Sequence, residues 1–336
     1  MLKKEISMLA NGENLSREAT EIAFDKIMSG QVNEVQKAAF LTALSIKGET
    51  IDEITAAAGI LRKYCTKVPY SSKAFEIVGT GGDRSNTFNI STTSAIVLAA
   101  AGIHVAKHGN RAASSKCGAM DVVEALGIDL NVSPEKSGKL LDEMGLCFLF
   151  AQKYHSAMKN VGQVRRDIGI RTIFNLIGPL ANPAMPEYQL MGVYSENLVE
   201  PLAEVLHNLG IKNVMVVYGR DCIDELSLSS ETSVCEIIDG VKRYYVVSPE
   251  DIGLRKCRKE ELLGGDPAEN AAITMSILKG EKGPKRDAVV LNAAFSYHVV
   301  NPEASPSDAK KIIEDTIDSG RAITFFNNFA AAVKEC

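Results

Sequence analysis

The sequence predicts an α/β fold: a mixed, mostly parallel central sheet flanked by helices, preceded by a small all-α domain. Three observations carry this reading. The first 68 residues show helical periodicity only, residues 74 to 150 alternate short apolar runs with helical stretches, and an Asp-Gly turn at 239–240 between two apolar runs marks an appended hairpin.

In chain order, Ser16 to Met28 puts Ala19, Ile22, Ala23 and Ile27 on one face and stops at Gly30, and Asn33 to Lys47 stops at Gly48. Thr50 with Glu53 is a capping-box pattern that opens a third helix running to about Cys65. Helices this short cannot bury their stripes alone, so they must pack on each other, on a larger domain or on a second subunit. Phe75 to Val78, Ile103 to Ala106, Ile128 to Leu130 and Leu146 to Phe150 are predicted strands. Helices around Ser94 to Ala101, Met120 to Leu126 and Pro134 to Met144 separate them, which makes the strands parallel. Residues 151 to 183 turn polar and helix-like, end in the turn cluster Ile177 to Pro183, and are expected to cross back to the helical domain. Strands at Tyr188 to Tyr194 and Val214 to Tyr218 then bracket a helix ending near Gly210. Helices close the chain, with Asp266-Pro267 and Pro284 as starts and Gly280 and Gly320 as stops.

The stretch from Gly79 to Thr92, Gly-Thr-Gly-Gly-Asp-Arg-Ser-Asn-Thr-Phe-Asn-Ile-Ser-Thr, joins the first strand to its helix and reads as a phosphate cradle. Gly79, Gly81 and Gly82 let the backbone take positive φ and approach a ligand closely, and successive N–H groups in such a turn form an anion-binding concavity. Asn89, Ser91 and Thr92 fall where the helix begins, so its free N–H groups can hold a second anionic group. Ligands of parallel sheets bind at the carboxyl ends of the strands, where this loop and the loop at Lys107 both fall. There is no Walker Gly-Lys-Ser/Thr ending and no Gly-x-Gly-x-x-Gly, which argues against an NTPase or a dehydrogenase.

At 336 residues the chain has room for two compact units. A net charge of −5 disfavours a general nucleic-acid or anionic-membrane surface, so a polyphosphate must be bound by a local site. Seven scattered cysteines without a Cys-x-x-Cys pair fit reduced thiols rather than disulfides or zinc. The N-terminus lacks the apolar core of a signal peptide and no run reaches membrane-spanning length, so a soluble cytoplasmic protein is expected.

Gly79-Thr80-Gly81-Gly82-Asp83 with Asn89-Ile90-Ser91-Thr92, then Lys107-His108-Gly109-Asn110-Arg111, Arg165, Gly169 to Asn175, Gly178-Pro179-Leu180 and Asp224-Glu225-Leu226-Ser227 closely resemble the anthranilate phosphoribosyltransferase family, in its motif order and over most of the chain. The resemblance implies a fold like that of this family and the nucleoside phosphorylases. It implies a helical domain of residues 1–68 with part of 161–183, which makes a homodimer, and a large α/β domain of residues 70–160 and 184–336. It implies transfer of phosphoribosyl from phosphoribosyl pyrophosphate to anthranilate in the second step of tryptophan biosynthesis, with two Mg²⁺ per subunit.

Carried over residue by residue, the family pattern puts phosphoribosyl pyrophosphate on Gly79, Gly82, Asp83, Thr87, Asn89, Ile90, Ser91, Thr92, Lys107, His108, Gly109, Asn110, Arg111, Ala112, Ala113, Ser114, Ser115 and Ala119. It puts anthranilate on Gly79, Asn110 and Arg165, and metal on Ser91, Asp224 and Glu225. Cys117 and Ala119 stand where the family often has serines, which removes hydroxyl contacts to phosphate but leaves backbone N–H groups. Mg²⁺ is usually held by one or two carboxylates plus substrate phosphates, which suits Asp224 and Glu225, although an adjacent acidic pair is by default a solvated surface feature. Lys107 can reach the pyrophosphate as a point charge, and Arg165 can grip a carboxylate with its two-pronged guanidinium, whereas either Arg165 or Arg166 alone reads as an exposed helix cation. His108 is the candidate general base, but a loop histidine equally orients or stacks, and the aromatic amine is already neutral near pH 7, so no essential base is assigned. His104, His155, His207 and His298 show no metal-ligand spacing and read as structural.

Two other functions fit parts of the pattern. A pyrimidine nucleoside phosphorylase-like enzyme usually has a Ser-Thr-Gly-Gly turn and no acidic pair, against Gly79-Thr80 and Asp224-Glu225 here. A non-enzymatic nucleic-acid-binding relative would carry a basic face and a degraded phosphate loop; this chain is acidic and its loop is intact.

Overall fold

The structure, a computed structural model, describes residues 1–112 and 116–335. Four helices come first: α1 (Lys3–Ala10), α2 (Arg17–Met28), α3 (Glu34–Lys47) and α4 (Ile51–Tyr64). Ser16 accepts from the Ala19 N–H and Asn33 from the Gln36 N–H, while Thr50 and Glu53 close both halves of the capping box. Helix α1 has no side-chain cap, so nothing in the sequence marks its start.

Seven strands form one sheet: β1 (Phe75–Gly79), β2 (Val105–Gly109), β3 (Leu146–Phe150), β4 (Tyr188–Gly192), β5 (Asn213–Gly219), β6 (Thr232–Ile238) and β7 (Val241–Val247). Their order is β3-β2-β1-β4-β5-β6-β7, parallel from β3 to β5 and antiparallel beyond. This is the mixed, mostly parallel sheet the alternation predicted. The connections are α5 (Ile90–Ala100), α6 (Ala119–Ala125), α7 (Pro134–Met144), α8 (Ala151–Tyr154), α9 (Lys159–Ile168), α10 (Phe174–Ile177) and α11 (Val199–Asn208). Helices α12 (Pro267–Leu278), α13 (Pro284–Val300), α14 (Pro306–Asp318) and α15 (Arg321–Glu335) end the chain.

Ile128 to Leu130 is not a strand, contrary to the expectation for a short apolar run between two helices. Asp129 Oδ1 accepts the Asn131 N–H at 2.7 Å, a local turn that takes a donor a sheet ladder would need. Ile128, Leu130 and Val132 instead enter the core beside Leu140 and Phe148.

Each face of the sheet carries its own apolar layer. On one, Phe75, Ile77 and Val105 pack with α5, α13 and α15. On the other, Val78, Met191, Val214 and Val216 pack with α2, α3, α4 and α11. Residues 161–181 join this second layer, where Phe174 meets Phe24 with ring centroids 5.9 Å apart. Lys37 Nζ donates to the Asn160 carbonyl at 2.5 Å, and Asn160 Nδ2 to the Met28 carbonyl at 2.7 Å. The chain from α9 to α10 is thereby fastened to the N-terminal helices.

Candidate active site

Four of the five parallel strands end on glycine: Gly79, Gly109, Gly192 and Gly219. Gly79 and Gly192 are register partners, and the backbone after β5 descends onto them. A β-carbon at Gly192 would overlap the Asp224 carbonyl, and one at Gly79 would overlap the Asp224 carboxylate. The bare strand edge is what lets Asp224 sit against the glycine loop. Its carboxylate accepts the Gly81 N–H at 2.6 Å, and Asp83 accepts the Asp224 N–H at 3.4 Å. Gly81 and Gly82 take φ of 68° and 77°, the left-handed region that side chains disfavour; Gly79, expected to do the same, does not, because it still belongs to strand β1 and is bare for the approach of Asp224 instead.

Beyond the glycines, Thr87 bridges to Leu263, and α5 opens at Ile90 with Asn89 at its N-cap position. Among the described residues, Asn89 makes no capping hydrogen bond and the buried Thr92 hydroxyl has no partner. Such orphaned groups at a helix N-terminus are what an anionic ligand would satisfy. Ser91 presents its N–H to Glu225 Oε1 at 3.2 Å, which brings the acidic pair to this helix end. Ile90 is buried in the core, so only its backbone can face a ligand.

Glu225 is 8% exposed. Burial, then repulsion from Asp83, pushes the Asp224 carboxyl up to about 7; burial and the Asp224 charge push Glu225 up to about 8, against the pull of Lys107. Lys107, buried on β2, is held below the usual amine range by burial, with the charges of Glu76, Glu225 and Asp224 acting the other way. Two carboxyls and an ammonium thus share a poorly solvated space that a cation and an anion together would neutralise.

His108 and His155 lie with ring centroids 5.2 Å apart, both buried. Burial, then each other's proximity and that of Lys107, holds His108 well below its ordinary value; burial takes His155 down to about 4. Both are neutral at pH 7, and among the described residues His108 Nε2 and both His155 ring nitrogens have no partner. His155 had read as structural; the chain turn at α8 brings it to His108, and no local spacing signals that meeting.

Three arginines separate clearly. Arg165 is half-buried, its guanidinium 5.3 Å from the Phe174 ring centroid with no carboxylate partner among the described residues, whereas Arg166 is exposed and bonds Gln163 at 2.7 Å. Arg111 is gripped by Asp121 at 3.0 Å and Glu124 at 2.7 Å, so its guanidinium is already neutralised. Arg171 donates to the Gly82 carbonyl at 2.6 Å and lies 3.9 Å from the Tyr194 ring centroid, while its own carbonyl accepts from Ser45 of α3 at 2.9 Å. It ties the glycine loop to the N-terminal helices, a role that the sequence could not show.

Asn110 Oδ1 accepts the Arg111 N–H at 2.8 Å, and the Ala112 N–H goes to Asp121 at 2.8 Å. Ala119 begins α6 next to Gly109, where an added β-carbon would lie 3.0 Å from its own. Ala113, Ser114 and Ser115 lie outside the described residues.

Family models match over nearly all of this framework: a glycosyl transferase family helical bundle domain over residues 3–65 and a glycosyl transferase family a/b domain over residues 71–323. An anthranilate phosphoribosyltransferase of Lachnoclostridium phytofermentans is 58% identical over 98% of both chains, and one of Methanobrevibacter smithii 56% over 96% of both. The chain belongs to the anthranilate phosphoribosyltransferase family. Among solved structures, the Thermus thermophilus anthranilate phosphoribosyltransferase superposes with a TM-score of 0.93 at 40% identity, covering 98% of this chain and 99% of that one. The Saccharomyces cerevisiae anthranilate phosphoribosyltransferase in complex with PRPP and Mg gives 0.92 at 29% identity, covering 100% and 98%.

For a metal, the donors of this anthranilate phosphoribosyltransferase family member are hard oxygens, Asp224 and Glu225, with Ser91 of α5 brought to Glu225 by its N–H. Among the described residues no three His, Cys, Asp or Glu side chains stand close enough to enclose an ion. The acidic pair would therefore need substrate oxygens and water to complete a shell, which is how Mg²⁺ is usually held.

Proposed function

We propose that this chain transfers the phosphoribosyl group of 5-phosphoribosyl 1-pyrophosphate to the amine of anthranilate, giving N-(5-phosphoribosyl)anthranilate and pyrophosphate. The observation that carries the reading is the contact of the glycine loop with the acidic pair, through the Gly81 N–H on Asp224 and the Ser91 N–H on Glu225. It unites an anion cradle and a cation site at one strand edge, as a pyrophosphate leaving group requires.

In the reaction the bond from ribose C1 to pyrophosphate breaks, the bond from C1 to the amine nitrogen forms, and that nitrogen loses a proton. The Thr80 and Gly81 N–H groups are taken by the Gly192 carbonyl and by Asp224, so the N–H groups of Gly82 and Asp83, the start of α5 from Asn89 to Thr92, and Lys107 hold phosphates, with Gly79 allowing close approach. Asp224, Glu225 and Ser91 would hold Mg²⁺, two per subunit, and the ion when bound neutralises charge on the leaving pyrophosphate. Gly109 and Asn110 position the acceptor, and Arg165, with no carboxylate partner among the described residues, receives the anthranilate carboxylate. His108 and His155 are buried and neutral, which suits packing against an aromatic acceptor better than storing a proton.

Residues 1–68 with part of 161–183 form the helical domain and the homodimer surface; Val35 and Ile46 on α3, each 79% exposed, support this. The large domain is 70–160 with 184–336. Among the described residues no helix is long and apolar enough to cross a membrane, and cytoplasmic residence is part of the proposal.

The test is loss of anthranilate fluorescence on mixing protein, anthranilate, phosphoribosyl pyrophosphate and Mg²⁺, with each omitted in turn. Loss requiring all components, and abolished in Asp224→Ala/Glu225→Ala, is expected; loss without Mg²⁺, or none at all, overturns the reading.

A further inference from the structure

Loops that carry adjacent acids are pushed apart by their own charge, so something must hold this one down. Asn292, in the middle of α13, is fully buried and addresses the loop directly. Its Oδ1 accepts the Leu226 N–H at 3.0 Å, and its Nδ2 donates to the Leu226 carbonyl at 2.9 Å. The same amide nitrogen donates to Ala288 within α13 at 3.0 Å. Leu226 directly follows Glu225 and is itself fully buried. One amide therefore satisfies both main-chain groups of the residue next to the acidic pair and anchors them to a helix packed against the sheet. Ser227 is also held, by Asp221 within the loop and by Thr232 at the start of β6, but neither partner addresses Leu226, the residue directly after the acidic pair.

We infer that Asn292 is a positioning residue for the metal site, holding Asp224 and Glu225 at the glycine loop through the backbone of Leu226. The inference rests on the reading that those carboxylates bind Mg²⁺. No other side-chain type of similar size both donates and accepts in this arrangement: leucine would orphan two buried backbone groups, and aspartate would keep the acceptor but lose the donor.

The experiment is an electron paramagnetic resonance titration of the full-length protein with Mn²⁺ in the presence of pyrophosphate. Asn292→Ser removes the strap without adding charge and should raise the apparent Mn²⁺ dissociation constant about tenfold, the scale on which outer partners of metal ligands act. Asn213→Asp is the control. Asn213 is another buried amide that ties the sheet to α13, through the Val299 carbonyl at 2.9 Å, but from the far end of β5. It should lose stability with Mn²⁺ affinity unchanged within about twofold. Unchanged Mn²⁺ affinity in a folded Asn292→Ser overturns the proposal, as does an equal loss in both variants. If the serine variant does not fold, isosteric Asn292→Asp carries the same test. In the unaltered protein, Mn²⁺ with pyrophosphate should slow hydrogen exchange at the Leu226 amide, and no slowing counts against the strap. Asp224→Asn/Glu225→Gln distinguishes the two levels: if it too leaves Mn²⁺ binding intact, the metal reading itself falls, and if it abolishes binding while the Asn292 variants do not, only the strap falls.

Discussion

Gly192→Ala places one methyl group where the architecture allows none. The new β-carbon would overlap the carbonyl carbon and oxygen of Asp224 and lie 3.2 Å from its Cα, inside ordinary van der Waals contact. All three are backbone atoms, so no side-chain rotation relieves the overlap. Gly192 itself is held on both sides, by β1 at Gly79 and by β5 at Val217. The Asp224 backbone must therefore rise by roughly 1–2 Å, at a cost of about 1–3 kcal/mol typical of overpacking. Displacement of a site group by that amount costs about 10²-fold in rate. The assay is anthranilate fluorescence over a Mg²⁺ and phosphoribosyl pyrophosphate grid, alongside thermal unfolding. Turnover about 10²-fold lower is expected, with the half-saturating Mg²⁺ raised and the anthranilate KM changed far less. Gly59→Ala on α4, with nothing within 4 Å of its β-carbon and no left-handed φ, should instead stabilise by about 0.5–1 kcal/mol. Wild-type melting and Mg²⁺ dependence in Gly192→Ala would refute the claim that the bare strand edge exists to seat Asp224.

Arg165→Ala should raise the anthranilate KM by about 10²-fold or less and the phosphoribosyl pyrophosphate KM by no more than a few-fold, because a charge-assisted forked pair is lost only to the carboxylate; steady-state kinetics in both substrates checks this, and equal effects would sink the assignment. Arg171→Ala releases Gly82 from its 2.6 Å partner and should raise the phosphoribosyl pyrophosphate KM about tenfold with anthranilate nearly unaffected, read in the same kinetics. Glu76, fully buried, is pushed up to about 8 by burial, with Lys107 opposing. A carboxyl raised in the folded state binds more protons there than when unfolded, so its contribution to stability is present below the ordinary carboxylate range and falls as pH rises towards 8. Glu76→Gln should therefore flatten the fall in stability between pH 5 and 8, seen in denaturant melts across that range; an unchanged slope would show that Glu76 is already ionised.

The parts of this molecule legible in the sequence are those with a local chemical cause. Ser16, Asn33 and Thr50 cap helices because their side chains reach N–H groups three residues on, and that spacing is written in the chain. The glycine loop was legible for the same reason, since left-handed φ at Gly81 and Gly82 is a demand on those residues alone. Ile128 to Leu130 misled because an apolar run between helices reports burial, not a ladder partner, and the turn at Asp129 had already taken the donor. Arg171, His155, Gly192 and Asn292 were beyond reach, because each acquires its role only when segments far apart in sequence meet. The assignment of Asp224-Glu225 to a site also came from the family pattern; what the structure adds is their approach to Gly81 and Ser91.

The glycine-ended strands explain why the site can be both crowded and adaptable. Along the parallel strands the side chains fill two apolar layers and leave no freedom, but at Gly79, Gly109, Gly192 and Gly219 the backbone ends bare. Each bare end admits a loop: Asp224 over Gly79 and Gly192, the start of α6 over Gly109, Asp221 and Ser227 over Gly219. Precision is supplied from outside the sheet, by Arg171 on the glycine loop and Asn292 on the acidic loop. These two supports differ in kind. Asn292 is buried and tied to α13, whereas Arg171 is exposed and tied through its own carbonyl to α3. A shift of the N-terminal helices relative to the sheet would consequently pull on the phosphate loop directly and reach the acidic loop only through the contacts of Asp224 with Gly81 and Asp83. Substrate closure in this fold should therefore be felt first at Gly82, so a fluorophore near the glycine loop should report phosphoribosyl pyrophosphate binding in the wild type and lose that response in Ser45→Ala/Arg171→Ala, while one beside Leu228 should stay silent in both.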